Sequence, residues 1–412
     1  MSVKTLLTSF SAAGSTYWGL VVDVIDTTGS LAIDASSNIY YVNYASTTGY
    51  NYILKVSSLG VVIWKKITSS SAYSNYLHLA SDSSGNNIYS VSVGGAEFST
   101  FSNTGTVSAN INYGYGTALD FVTVNQTNGN IVISANSEPT SSAGQFIKLN
   151  SSKTFLLGRG LPTAYAVLAQ QIDSSDNIYL YVYDNAGFTQ LLKISTTGTI
   201  TWQRRITLDP NYSPYNGGFY SRVWVDSSSN VYTSVMSYNA GTSVIGLYIV
   251  KYNSSGVVQW QRFAENKNCM AVDSSGNVYL GGFDGTNGFG VLTKLTTAAA
   301  VSWERSVKCT NATVYFRDII INTDNTLIAA GDFNNNGTGN DTGILKIATD
   351  GSIIGTYGDW SIGTGISTTI NTTTFATSTT AITLTTLSAP TATTSAYTTS
   401  NSEITTTTTA LG

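Results

Sequence analysis

Side chains that commonly carry acid–base, nucleophilic or metal chemistry are scarce in this sequence. His78 is the only histidine, and Cys269 and Cys309 are the only cysteines. A zinc site built from several histidines is therefore excluded by count. The two cysteines occupy different positions in the repeated units described below, so we expect no disulfide between them. We predict neither a metal nor a cofactor, and we name no catalytic residue.

Three polar side chains nevertheless share one position in the sequence pattern. Arg222, Asp318 and His78 each lie four residues before a recurring Asp or Asn that ends a predicted strand. If these strands surround a common axis, the three side chains can line one mouth of an axial channel. We therefore treat them as candidates for ligand binding.

A second candidate is an aromatic group in a long, irregular segment. Aromatic rings beside amide and carboxylate groups suit the flat faces and the hydroxyls of sugars. The alternative is that these rings pack between neighbouring units. Binding residues often lie on loops held by a rigid scaffold, which favours a ligand-binding role for this group. Its members are Tyr212, Tyr215, Phe219 and Tyr220.

Glycoside cleavage usually needs a pair of carboxylates that flank the same bond. The sequence offers only scattered acids near the predicted channel and loops, namely Asp120, Asp209, Asp284 and Asp318. We therefore predict a binding protein that is not an enzyme. A polysaccharide-degrading enzyme, such as a depolymerase, remains the alternative.

The first of two recurring turn signals predicts the elements that position these residues. An apolar strand ends in Asp or Asn, a Ser/Gly/Asn turn follows, and a second strand begins. The Asp or Asn can accept hydrogen bonds from turn N–H groups, which fixes a tight hairpin. A calcium loop is the disfavoured alternative, because each turn brings one carboxylate. The signal recurs every 43 to 53 residues, at Asp34, Asp82, Asn125, Asp173, Asp226, Asp273 and Asn322.

The second turn signal follows the first by about 20 residues. It consists of two apolar residues, usually a Lys, a Ser/Thr/Gly turn, and a strand that often contains Trp. The Lys position is occupied by Lys55, Phe101, Lys148, Lys193, Lys251, Lys294 and Lys346. The Trp position is occupied by Trp64, Trp202, Trp260 and Trp303.

These signals together predict four antiparallel strands in each of seven units. A period of this length with four strands is typical of a propeller blade. We therefore predict an all-β fold, a seven-bladed β-propeller of four-stranded antiparallel blades, over residues 1–360. A propeller must close to avoid an unpaired edge. Either Lys4–Phe10 or Ser352–Tyr357 supplies the last strand, and we favour the N-terminal segment.

Residues 361–412 have a different composition, dominated by Thr and Ser. Thr favours extended structure, so we predict a β-prone, extended segment for assembly or anchoring. The segment either wraps on the propeller or pairs with a neighbouring chain. Over the whole chain, charged residues make up 10% and the net charge is −4, which gives no basic surface for nucleic acid. No apolar run is long enough to predict membrane insertion.

The units AVDSSGNVYLGG and LAIDASSNIYYV resemble the bacterial and phage β-propeller repeat family, with further similarity to NHL-type propellers. The Thr/Ser tail behind such repeats is similar to tailed-phage structural proteins, particularly cyanophage tail or virion-surface proteins. The resemblance implies a tail, fibre or capsid-surface protein of a virion that binds host surface glycan or another virion protein. Its expected partners are other virion subunits, reached through the tail, and an oligomer is possible. A bacterial extracellular scaffold is the further alternative.

Overall fold

The strand pattern predicted from the repeats appears in a computed structural model of the protein. The model describes residues 4–12, 15–22, 29–45, 50–68, 77–92, 97–112, 119–135, 144–162, 165–184, 188–206, 212–214, 221–239, 244–310, 312–335, 339–357, 360–364 and 369–372, and five later pairs of residues. Every regular element in these ranges is a β-strand. No helix in the described part of the chain could span a membrane.

Five separate sheets are propeller blades, each built from the four antiparallel strands of one repeat. The first contains β3 (Gly29–Ile33), β4 (Ile39–Ala45), β5 (Tyr50–Val56) and β6 (Val62–Thr68). The second contains β7 (Leu77–Ser81), β8 (Asn87–Ser92), β9 (Glu97–Ser102) and β10 (Val107–Asn112). The third contains β11 (Leu119–Val124), β12 (Ile131–Ala135), β13 (Gln145–Leu149) and β14 (Phe155–Gly160). The fourth contains β15 (Tyr165–Ile172), β16 (Ile178–Asp184), β17 (Thr189–Ile194) and β18 (Ile200–Ile206). The fifth contains β20 (Arg222–Val225), β21 (Val231–Asn239), β22 (Val244–Tyr252) and β23 (Val258–Glu265), with the short β19 (Tyr212–Pro214) also paired to β21.

The prediction of seven separate blades is wrong, because the structure has five. The sixth and seventh repeats lie together in one 12-stranded sheet. The two repeats share one sheet because the strand that ends at Cys309 and the strand that begins at Ala312 are joined by a very short connection. Cys309 and Ala312 pair with each other across it. The strands of these repeats are β24 (Lys267–Val272), β25 (Val278–Asp284), β26 (Phe289–Leu295), β27 (Val301–Cys309), β28 (Ala312–Ile321), β29 (Thr326–Asn335) and β30 (Gly339–Ala348).

The N-terminal segment completes this large sheet through two strands, β1 (Lys4–Ala12) and β2 (Ser15–Val22). β2 pairs antiparallel with β30, and β1 pairs with the outer side of β2. The strand that lies directly beside β30 is therefore Ser15–Val22, whereas Lys4–Phe10 lies one strand further out. The other candidate segment contributes β31 (Gly355–Tyr357), which pairs with β32 (Trp360–Gly363) at the edge of β27.

The first strand of each repeat contacts the first strand of the next, and β28 contacts β3, so the repeats form a closed ring. Apolar side chains fill the space between neighbouring repeats. Val42 and Ile53 of the first blade pack with Ile88 and Phe101 of the second, for example, and all four are buried. Successive residues of a strand point to opposite sides, so a blade presents apolar side chains to both neighbours, and strands such as β12 and β24 are buried along their whole length.

The C-terminal segment runs around the outside of this ring. We name the six strands β33 to β38 the strap: β33 (Ile370–Thr372), β34 (Thr377–Ser378), β35 (Thr385–Thr386), β36 (Thr393–Thr394), β37 (Thr399–Ser400) and β38 (Thr407–Thr408). They pair in order with β23, β18, β14, β10, β6 and β1. Successive strap strands therefore pair with the blades from the fifth back to the first, and the last strap strand pairs with β1. Of the two arrangements that the sequence left open, the structure has the wrapped one.

Candidate functional site

The recurring turn carboxylates are occupied by donors from their own hairpins. Asp226 Oδ1 accepts hydrogen bonds from the backbone N–H groups of Ser228 and Asn230, both at 2.9 Å. Its Oδ2 accepts from Asn230 Nδ2 at 2.8 Å and from the Tyr232 hydroxyl at 3.1 Å. These contacts fix the turn, as predicted, and they give the carboxylate a structural role. The same arrangement recurs at Asp34, Asp173 and Asp273.

The repeated Lys and Trp connect one repeat to the next. Trp260 Nε1 and Lys251 Nζ both donate to the backbone carbonyl of Thr297, at 3.0 and 3.4 Å. Tyr232 lies between them, with its ring centroid 6.1 Å from that of Trp260 and 5.1 Å from Lys251 Nζ. Asp, Tyr, Lys and Trp therefore form one inter-repeat network. The same Lys and Trp pairing joins Lys55 and Trp64 to Asn103, and Lys294 and Trp303 to Thr349.

The ring closes with the same contact, made by a Trp that sequence reasoning missed. Trp18 Nε1 donates to the carbonyl of Ser58 at 3.0 Å, and Lys346 Nζ donates to the same oxygen at 3.1 Å. Trp18 therefore serves the seventh repeat from the N-terminal end of the chain. The signal that could have found it is the repeated Trp itself, because Gly355 stands nine residues after Lys346, where the repeat has Trp, and a Trp is present in YWGLVV.

The third repeat departs from the usual Asp and compensates for it. Asn125 replaces the usual Asp, and the carboxylate comes instead from Asp176 in the next repeat. Asp176 accepts from Asn125 Nδ2 at 3.0 Å and Asn130 Nδ2 at 2.9 Å, and it pairs with the buried Lys148. Burial opposes ionisation of Asp176, but these hydrogen bonds outweigh it and lower its pKa.

The axial channel is a cavity of about 690 Å³ enclosed by the first strands of the repeats. Its lining changes along the axis. Near the short turns, small polar residues that follow the turn Asp or Asn form a rim, among them Ser83, Ser174, Ser227, Ser274 and Thr323. The residues before the turn Asp or Asn are mostly aliphatic, including Ile33, Val124, Ile172, Val225, Val272 and Ile321. His78, Arg222 and Asp318 lie at the opposite end of the same lining.

An ion pair joins two of the predicted site residues. Arg222 Nη2 lies 3.0 Å from Asp318 Oδ1, and both side chains are largely shielded from solvent. Asp318 Oδ2 also accepts the backbone N–H of Leu31 at 2.9 Å. Asp318 thus links the seventh repeat to the first as well as to Arg222. Neither charge is left uncompensated in the channel.

His78 lies in the same lining with its ring against Phe121, at a centroid distance of 5.4 Å. Burial, together with the charge of Arg222, lowers its pKa to about 3. The imidazole is therefore neutral at pH 7. Its Nδ1 atom is buried and has no hydrogen-bond partner among the described residues.

Two more polar groups line the channel and were missed by sequence reasoning. Ser221 is fully buried, and its hydroxyl has no hydrogen-bond partner in the described part of the protein. Gln170 donates from Nε2 to the carbonyl of Val132 at 2.8 Å, whereas its Oε1 has no partner there. Ser221 and Gln170 lie five and three residues before their turn Asp. Considering the third and fifth positions before the turn Asp, as well as the fourth, would have identified both.

The structure describes only one of the four aromatic candidates. Tyr212 begins β19, whose register pairs it with Asn239. Tyr215, Phe219 and Tyr220 lie outside the described residues, so their role in binding remains a prediction. Among the described residues, no group of His, Cys, Asp or Glu could hold a metal ion. Neither cysteine forms a disulfide in the described part of the chain, and burial raises the pKa of the Cys269 thiol.

No protein-family model and no curated protein matches the sequence. Solved structures do match. The β-propeller domain of Cps50 (Swd1) from Myceliophteria thermophila is 10% identical, with a TM-score of 0.52 over 83% of this chain and 100% of that chain. The Dos1 propeller is 10% identical, with a TM-score of 0.51 over 84% of this chain and 95% of that chain. Virginiamycin B lyase from Staphylococcus aureus is 12% identical, with a TM-score of 0.48 over 78% and 95%.

Identities this low inform the fold alone. The first two matches cover most of both chains, and they agree with the four-stranded antiparallel blades and the closed ring of first strands. The chain is a β-propeller built from repeated units.

Proposed function

We propose that the protein is a non-enzymatic binding propeller on the surface or tail of a phage particle, where it recognises host surface glycan or another virion protein. The proposal rests on the resemblance of the repeats and the tail to phage proteins. It also rests on the hydrogen bonds that occupy the carboxylates of the channel. The aromatic group Tyr212, Tyr215, Phe219 and Tyr220 is the proposed contact with the sugar.

The observation that supports a binding role is that the carboxylates around the channel are occupied by hydrogen bonds or an ion pair. Asp34, Asp173, Asp226 and Asp273 line it, and each accepts hydrogen bonds from its own turn. Asp318, the fifth, is paired with Arg222. A general acid or base must be able to exchange a proton with a bound substrate. Carboxylates held in this way favour a scaffold over a catalytic centre.

Binding is tested with host cell-surface polysaccharide and the full-length protein. We expect saturable binding, and we expect replacement of the four aromatic residues by Ala to reduce affinity at least tenfold. Leu59→Ala is the matched control, because Leu59 is 60% exposed in a short turn and away from the long loops. Equal affinity of both variants would argue against the aromatic site.

The same incubation separates binding from degradation. We expect the polysaccharide to keep its length and to gain no new reducing or unsaturated ends. Released oligosaccharides would favour the depolymerase alternative. Location is tested by labelling purified particles with an antibody against the propeller, and the absence of label on intact particles would contradict the virion assignment.

A further inference from the structure

The strap pairs with the outer edges of the blades through the backbone of short strands. Five of its six strands are two residues long, and each of these five is Thr-Thr or Thr-Ser. The paired positions on the blades are chemically diverse. They include Ile111 and Asn112 in the second blade, and Arg205 and Ile206 in the fourth. One kind of dipeptide therefore docks on different edges, as expected when main-chain hydrogen bonds supply the attraction.

The spacing of the strap matches the ring of edges. Successive strap strands begin 7, 8, 8, 6 and 8 residues apart. A segment of eight residues spans at most about 28 Å when fully extended. This reach lets one dipeptide dock on each blade in turn. The outer edges of β18, β14, β10 and β6 thus form a series of equivalent acceptor sites for one repeated dipeptide, whereas β23 takes the three-residue β33.

Each strap strand forms only two or three residue pairs, but the strands together form many. The strap makes two residue pairs on each of four blades and three on β23. Because backbone pairing is open to any extended segment, the tail of a second copy can make the same pairs. Exchange of an identical element between copies is a low-cost route to association.

We propose that the outer edges of the blades accept the strap in trans as well as in cis, so that the tail of one copy binds the propeller of a neighbouring copy. The partner is a second copy of this chain, and the recognised element is residues 370–408. The inference uses the pairing in the structure and stands apart from the glycan role, although it gives the proposed particle component a means of assembly.

Disulfide trapping in the full-length protein tests this exchange. Asn112 and Thr393 lie opposite each other in the antiparallel pair of β10 and β36. Opposed residues in such a pair lie about 4.5–5.5 Å apart at Cα, which suits a disulfide. One chain carries Asn112→Cys, a second chain of different length carries Thr393→Cys, and the two are mixed and oxidised. Only exchange between copies can join them.

We expect a disulfide-linked heterodimer whose yield rises with protein concentration. Ser108→Cys replaces Asn112→Cys in the matched control, because Ser108 is exposed on the same strand and does not pair with the strap. The unsubstituted chain gives the background from Cys269 and Cys309. The doubly substituted chain should also form an intrachain bond.

An intrachain bond in the double variant, with no heterodimer at any concentration, would overturn the proposal and leave a strap that acts only in cis. Failure of both cross-links would overturn it as well, because the edge would then hold no strap. Neither result bears on polysaccharide binding, so the two proposals fail independently.

Discussion

At the scale of single residues, the repeated side chains that look chemically capable turn out to connect repeats. Asp226 binds Tyr232, Tyr232 packs against Trp260, and Trp260 donates to a carbonyl of the next repeat. A repeat protein needs such contacts, because each repeat can bury its apolar face only against a neighbour. The repetition of Asp, Tyr, Lys and Trp therefore reflects stability.

Trp260→Phe tests this network. The substitution keeps an aromatic ring but removes the Nε1 donor to Thr297. We expect the free energy of unfolding to fall by about 0.5–1.5 kcal/mol, the usual scale for one intramolecular hydrogen bond. Urea denaturation measures the change. Val257→Thr, at a residue that is 52% exposed in the same hairpin, should change stability by less than about 0.5 kcal/mol.

His78 should make stability sensitive to acid. Its pKa is lowered to about 3 in the folded protein, against about 6.5 in an unfolded chain. Between these values the unfolded chain binds a proton that the folded chain does not. Stability should therefore fall as pH decreases from 6.5 towards 3, with a slope of at most about 1.4 kcal/mol per pH unit from this group. Above pH 6.5 the contribution is constant.

The measurement compares melting temperatures of the protein and of His78→Gln from pH 8 to pH 4. We expect the difference between them to narrow or reverse as pH falls, because Gln does not titrate. Parallel curves for the two proteins would show that His78 is freely protonated in the folded state.

At the scale of elements, closure depends on β2. Trp18 and Leu20 of this strand are fully buried, and Trp18 joins the seventh repeat to the first through Ser58. Sequence reasoning favoured Lys4–Phe10 over Ser352–Tyr357 as the closing strand. It overlooked Trp18, which occupies the Trp position of the repeat. The general place of closure was predictable, and the strand directly beside β30 was not.

Two N-terminal deletions distinguish these strands. Removing residues 1–12 takes away β1 and leaves β2 paired with β30. We expect a folded monomer with a melting temperature lower by a few degrees. Removing residues 1–22 also exposes the edge of β30 and the pocket of Trp18, and we expect no folded monomer. Circular dichroism and size-exclusion chromatography measure both outcomes, and equal damage by the two deletions would assign closure to β1.

At the scale of the whole molecule, the repeats were readable because tight turns require Asp, Asn and Gly at fixed places, and because Lys and Trp recur beside them. The union of two repeats in one sheet was not readable, since it depends on pairing at Cys309 and Ala312 after a short connection. The strap was equally hidden. Thr-Ser dipeptides that pair through the backbone leave no hydrophobic pattern. The register of Arg222 and Asp318, in contrast, anticipated a contact, because equivalent positions on first strands converge at the axis.

Truncation tests what the strap protects. A chain that ends at Gly363 keeps β32 but leaves the outer edges of the five separate blades unpaired. Unpaired edges favour edge-to-edge association. We expect this truncated chain to form oligomers or aggregates at concentrations where the full chain is monomeric, as measured by light scattering. A chain that ends at Thr408 keeps every strap pair and should behave as the full chain, whereas a monodisperse chain ending at Gly363 would contradict a protective role.

The pairing of β2 with β30 has a consequence for synthesis on the ribosome. β2, which contributes the buried Trp18 and Leu20, is made early in translation. Its partner β30 is translated near the end. Asp318 and Leu31, which bond across the same junction, are 287 positions apart. The five separate blades can form one after another as they emerge. The ring stays open until the last repeat is made, and the strap can pair with the blades only after that. A chain released from the ribosome before this point would therefore have an open ring.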